Sequence, residues 1–184
     1  MKDLSEKELV KRARKDVGAF EELYHKYYPK INNFVCHRVH DDMIRNEIVS
    51  NIFFKMMKNL PKYRFMNQKK CAFSSWLFRI AISEINQYFR DEQRQSKMKR
   101  MLHEQKQYDG AELLDITFET VRNAVRALPE YDQNLISLRF FEKMKYKEIA
   151  EILKQKEGTV KVQMHRTLEK LRNFLQGDIS YEKI

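Results

Sequence analysis

Between Tyr146 and Leu175 the chain carries side chains suited to the surface of duplex DNA. Gly158, Thr159, Lys161, Val162, Gln163, His165, Arg166 and Lys170 fall outside the apolar register set by Val160, Met164, Leu168, Leu171 and Leu175. Lys and Arg reach phosphates or guanine edges, Gln pairs with adenine, and Thr and Val can touch a thymine methyl. Amides at the start of such a helix can also hold a phosphate. His165 reads as a surface histidine, not a ligand or base. A second set lies upstream. Tyr63, Phe65, Phe73, Trp76, Phe78, Tyr88 and Phe89 alternate with Lys62, Arg64, Lys69, Lys70, Arg79 and Arg90. Positive grooves with aromatic platforms hold unstacked single strands, and a base drawn from the duplex needs such a pocket. Trp76, Phe78 and Phe89 could equally be core. The polar loop Phe65-Met66-Asn67-Gln68-Lys69-Lys70 is harder to explain that way.

Charge follows the same division. The 184 residues carry a formal +10. Residues 55–106 hold thirteen Lys/Arg against four Asp/Glu, and 118–177 hold twelve against eight. Residues 1–54 are nearly balanced, ten against nine, and 107–117 have three acids and no bases. A concentrated basic field attracts polyanions by counterion release.

These residues need helices to position them. Four glycines and three prolines are few, no strand-like alternation is long enough for a sheet, and no repeat stands out. Ser5-Glu6-Lys7-Glu8 has the form of a capping box opening a short helix that Gly18 would interrupt. An apolar register at 20, 23, 24, 27, 31, 34 and 35 continues to position 38. Asp41 or Asp42 would cap a third helix through Ile44, Ile48, Ile52, Phe53, Met56 and Leu60, ended by Pro61. Ser74 or Ser75 would cap a fourth, through Leu77, Ile80, Ala81, Ile85 and Tyr88. A second unit begins near Leu113, with helices through Val121, Val125 and Leu128, then Tyr131, Leu135 and Leu138. Tyr146–Leu153, the turn Lys154-Gln155-Lys156-Glu157 and the last helix make a helix-turn-helix. Ala150 lets its two helices cross closely. The expected fold is all-α. Two small helical domains, 1–94 and 113–177, are joined by a flexible linker at 95–112 and followed by a tail at 178–184.

The pattern argues against an enzyme. It has no Gly-rich phosphate loop, metal-ligand cluster or nucleophile elbow, and the five histidines are scattered. No cofactor or metal is expected. Cys36 and Cys71 read as ordinary thiols of a reducing compartment. No signal-peptide core or run of eighteen apolar residues occurs, so a cytoplasmic protein without membrane insertion is expected.

In this order and spacing the two units resemble the extracytoplasmic-function (ECF) sigma factors of the bacterial sigma-70 family. The strings that carry the resemblance are Ala19-Phe20-Glu21-Glu22-Leu23-Tyr24, Phe73-Ser74-Ser75-Trp76-Leu77-Phe78-Arg79-Ile80-Ala81, Leu128-Pro129, Tyr146-Lys147-Glu148-Ile149-Ala150-Glu151-Ile152-Leu153 and Glu157-Gly158-Thr159-Val160-Lys161, with His165-Arg166 after it. The resemblance implies a specificity subunit that directs core RNA polymerase to promoters and assists opening. Ile48, Val49, Ser50, Asn51 and Phe53 would meet the β′ clamp helices. Asn67, Lys69, Lys70, Trp76, Arg79, Ser83, Gln87 and Arg90 would hold the melted −10 strand. Gly158, Thr159, Lys161, Val162, Gln163, Arg166 and Lys170 would read the −35 duplex. Further partners would be the polymerase β flap and an anti-sigma protein. Three places depart from the family. Ser50-Asn51 replaces Gln-Glu at the clamp helix, and Gln87 replaces an Asp. Lys154-Gln155-Lys156 replaces Gly-Ile-Ser, removing a turn glycine, an apolar plug and a Ser cap. Two alternatives stay open. One is a helix-turn-helix regulator that does not open promoters. The other is a sigma factor recruited by an accessory DNA-targeting partner.

Overall fold

The computed structural model describes residues 5–63, 73–100 and 118–176, with no strand among them. Helix α1 (Glu6–Arg12) opens on the expected capping box. Ser5 Oγ accepts from the Glu8 amide at 3.4 Å, and Glu8 accepts from the Ser5 amide at 3.0 Å. Gly18 does not interrupt a helix. The break falls at 13–15, and Asp16 starts α2 (Val17–Cys36) by accepting from the Gly18 amide at 2.9 Å and the Ala19 amide at 3.3 Å. Asp41 caps α3 (Asp42–Asn59) through the Ile44 amide at 3.0 Å. Pro61 lies in the following 3-10 turn, Leu60–Lys62. Ser74 and Ser75 lie inside α4 (Phe73–Arg100), so neither caps it. The helix also runs through 95–100, where the linker was expected to begin.

The apolar stripes of these helices face one another. Leu23, Tyr27, Ile31, Phe34 and Val35 of α2 meet Ile48, Ile52, Phe53 and Met56 of α3 and Phe73, Leu77, Phe78, Ala81 and Ile85 of α4. Phe34 meets Phe78 edge-on at 5.3 Å, as Tyr27 meets Phe73. Phe78 is therefore core.

The second unit comprises α5 (Phe118–Ala127), α6 (Glu130–Ile136), a π-helical turn at Ser137–Phe141, α7 (Tyr146–Leu153) and α8 (Glu157–Gln176). Leu128, Leu135, Leu138, Ile149, Ile152, Val160 and Met164 form its core. Leu168, expected on the same stripe, is exposed. A polar cluster ties α6 to α8. Thr167 is fully buried and donates to Asp132 Oδ1 at 2.8 Å, while Lys170 Nζ lies 2.7 Å from Asp132 Oδ2.

The units touch. Helix α7 packs along α4. At the end of α2, position 38 keeps the buried register, but the residue is an arginine only 4% exposed. Arg38 Nη1 donates to Asn134 Oδ1 of α6 at 2.6 Å, and its guanidinium lies 5.6 Å from the Phe89 ring centre. His37 stacks on Phe141, with ring centres 3.7 Å apart. Asn33 donates to Glu142 at 2.9 Å.

Candidate nucleic-acid interface

The helix-turn-helix is built around a strained corner. Lys154, in the place of a turn glycine, is left-handed (φ 55°, ψ 43°) and caps α7 by donating its amide to the Ala150 carbonyl. A side chain there costs about 1–2 kcal/mol. Nearby contacts hold the corner. The Gln155 amide also donates to Ala150, at 2.9 Å, and Tyr131 Oη donates to the Gln155 side chain at 2.6 Å. Gln155 thus anchors the turn to α6 by a hydrogen bond instead of by apolar packing. The Val160 amide donates to the Lys156 carbonyl at 3.1 Å, beginning the ladder of α8.

With Val160, Met164 and Thr167 turned inward, α8 presents Gly158, Thr159, Lys161, Val162, His165 and Arg166 to solvent. Val162, an apolar side chain, is 53% exposed on this face. A Cβ added at Gly158 would meet nothing within 4 Å, so no internal packing demands a glycine there. Lys161 lies 2.8 Å from Glu157 and 5.9 Å from the Tyr146 ring centre. An exposed pair of this kind contributes little and can be exchanged for another anion. Gln163 is half-buried. Lys170 needs correction as a DNA contact, because its ammonium is committed to the buried carboxylate of Asp132.

The second surface runs along α4. Trp76, Arg79, Ser83, Gln87 and Arg90 recur at helical spacing and share one face. Trp76 is half-buried against Tyr63 (4.9 Å) and Phe73 (5.3 Å), so it is partly core and partly available. Arg79 Nε donates to the Ser75 carbonyl at 3.2 Å, and Arg90 Nε to the Asn86 carbonyl at 3.1 Å. Gln87 donates to Asp91 at 2.9 Å. A groove of about 370 Å3 is lined by Trp76, Arg79, Ile80 and Ser83, together with Asn59, Lys154 and Lys55, whose ammonium lies 2.5 Å from the Glu84 carboxylate on the same wall. Asn67, Lys69 and Lys70 lie outside the described residues.

The α3 residues divide. Ile48, Val49 and Phe53 are buried against α2 and α4, so they cannot meet a partner. Phe53 instead packs on Tyr24 at 4.6 Å. Ser50 and Asn51 are exposed. The sequence reading missed the rest of their face, since Met43 (84% exposed), Phe54 (57%) and Met57 (50%) line the outer side of α3. The signal was present: 43, 47, 50, 54 and 57 form a helical series complementary to the buried one.

Among the described residues no cluster of three or more His, Cys, Asp or Glu side chains could hold a metal, and no helix is long and apolar enough to cross a membrane.

The profile of sigma-70 region 2 matches residues 23–95, and that of sigma-70 region 4 matches 118–171. The chain is 26% identical over 160 residues to RNA polymerase sigma factor SigZ of Bacillus subtilis, covering 85% of this chain and 87% of that protein. It is 28% identical over 191 residues to the ECF RNA polymerase sigma-E factor of Haemophilus influenzae, covering 94% and 96%. Its fold is similar to that of the sigma factor RpoE from Bartonella quintana, solved in complex with the anti-sigma factor NepR. The TM-score is 0.64 at 17% identity, covering 87% of this chain and 98% of that one.

Proposed function

The chain belongs to the ECF group of the sigma-70 family, RNA polymerase sigma factors that act in promoter recognition, and from that premise we propose how its surfaces divide the work. The observation that carries the division is the presence of two faces of different chemistry on one chain. The outer face of α8 suits duplex DNA, and the basic, aromatic-edged face of α4 suits an unpaired strand. Residues 113–177 read the −35 element through Gly158, Thr159, Lys161, Val162, Gln163 and Arg166. Residues 1–94 hold the melted −10 strand through Asn67, Lys69, Lys70, Trp76, Arg79, Ser83, Gln87 and Arg90. The chain after α4 joins them.

Polymerase docking falls to the exposed side of α3. Ser50 and Asn51, flanked by Phe54 and Met57, meet the β′ clamp helices, and the second unit meets the β flap. Likeness to the Bartonella complex supports an anti-sigma protein as a further partner. The place of action is the cytoplasm, with the polymerase.

Run-off transcription with core polymerase tests this reading. Added protein should produce promoter-specific transcripts and make promoter thymines reactive to permanganate. Core binding and −35 binding with unreactive thymines would favour a helix-turn-helix regulator instead. Open complexes formed only with a second DNA-binding protein would favour an accessory recruiter.

A further inference from the structure

Asp132 sets a carboxylate inside the second unit, where it is only 5% exposed. Both of its oxygens are used, and both partners come from α8. Oδ1 accepts from the Thr167 hydroxyl at 2.8 Å, and Oδ2 accepts from the Lys170 ammonium at 2.7 Å. Thr167 is fully buried, while the Lys170 side chain keeps half of its surface in solvent. A buried ion pair is a poor source of stability, because taking the charges out of water offsets most of their attraction. What such a group can supply is register.

The apolar core sets the rotation of α8 less sharply. Val160 and Met164 bury the helix, but apolar contact is non-directional. Hydrogen bonds have direction. Thr167 and Lys170 are three residues apart and share one face of α8, so Asp132 is satisfied at one rotation of that helix. Thr167 also has a competing acceptor, the Gln163 carbonyl at 2.9 Å in its own helix. Its single proton serves one of them at a time. A hydroxyl turned back on its own helix bends it, and Gln163 lies one turn away beside the reading face. Reading is sensitive to such changes. Side-chain tips lie about 6 Å from a helix axis, so a turn of about 20° moves them by about 2 Å. That is enough to break a hydrogen bond to a base edge. Tyr131, the neighbour of Asp132, bonds to Gln155 at the turn, so α6 holds the helix-turn-helix at its corner and along the second half of α8.

We infer that Asp132 and Thr167 are positioning residues for sequence reading. Both are buried and neither meets DNA. They fix the rotation of α8 against α6, and so decide whether Thr159, Val162 and Arg166 meet base edges or only the backbone. The inference rests on the proposed −35 reading by α8.

Duplexes selected from a randomised pool by the full wild-type chain supply the probe. The readout is the ratio of affinity for a selected duplex to that for a scrambled one. Asp132→Leu with Thr167→Val and Lys170→Met replaces the cluster by apolar groups at unchanged net charge. This variant should keep its helicity, its denaturant midpoint and its affinity for the scrambled duplex, yet lose about tenfold or more of the ratio. Thr167→Val alone should lower the ratio in the same direction. Thr167→Ser keeps the hydroxyl and should retain it. If the triple variant is destabilised, Thr167→Val and Thr167→Ser decide. An unchanged ratio in a folded variant without the Thr167 hydroxyl, or equal losses in Thr167→Ser and Thr167→Val, overturns the inference. A wild-type chain that selects no sequence defeats −35 reading by α8 itself, and the inference with it.

Discussion

Arg166 and Lys161 both project from α8, yet their surroundings assign them different work. Lys161 is drawn toward Glu157 and Tyr146 in the first turn, where a DNA phosphate can replace the carboxylate. Lys161→Ala should therefore weaken binding about equally on all sequences and reduce the salt slope by about one. Arg166 shares a shallow groove with Val162 and His165. Arg166→Ala should relax preference at one base pair, costing about 1–3 kcal/mol there. A competition assay on randomised duplexes separates the two, and equal losses on every sequence would refute base reading by Arg166. Lys154 offers a stability test. Glycine at its left-handed position removes the Cβ clash but adds unfolded-state entropy. Lys154→Gly should stabilise the fold by about 0.5–1 kcal/mol, read from denaturant midpoints. A fall in stability would mean that the lysine stem contributes more to packing than the backbone strain costs.

At the scale of elements, α3 shows how a residue's face decides its role. Phe53→Ala should cost about 3–5 kcal/mol, because the ring fills core against α2 and α4. Phe54→Asp should leave stability within about 0.5 kcal/mol while abolishing binding to core polymerase, measured by co-elution. If Phe54→Asp still co-elutes, the outer side of α3 is not the docking face. This pair also marks what the sequence could tell. Helix number and the bounds of α7 were legible because apolar spacing and capping residues act within a few positions of themselves. The face a partner meets was misread where Ile48, Val49 and Phe53 of a family string were taken together with Ser50 and Asn51. A string runs round a helix, and burial selects only one side of it. Lys170 was misread for a related reason. It lies off the apolar register of α8, but Asp132, its partner, is distant in sequence and reaches it only through the packing of α6. Nothing local could reveal that contact. The same holds for Arg38, whose register was right but whose partner Asn134 comes from the other unit.

At the scale of the whole molecule, the contact of His37 with Phe141 and of Asn33 with Glu142, between the two units, carries a proton dependence. Burial holds the His37 imidazole below its ordinary 6.5, so the buried contact favours the neutral ring. Between that lowered value and 6.5 the chain with this contact broken binds more protons than the chain with it formed. The contribution of His37 is thus complete above 6.5 and is lost as pH falls through its folded value. Glu142 works the other way. Burial raises its carboxyl above 4.5, although the Asn33 hydrogen bond and nearby Lys30 pull it down. Its contribution is complete below 4.5 and is lost as pH rises through its raised value. The two oppose each other, so Glu142→Gln should expose the histidine alone. In that variant the radius of gyration should grow as pH falls from about 7.5 to about 5.5, reversibly and with helicity intact. Adding His37→Phe should keep the ring stack and flatten the profile. If the profile keeps its slope without His37, the proton acts elsewhere in the chain and this contact is not its sensor.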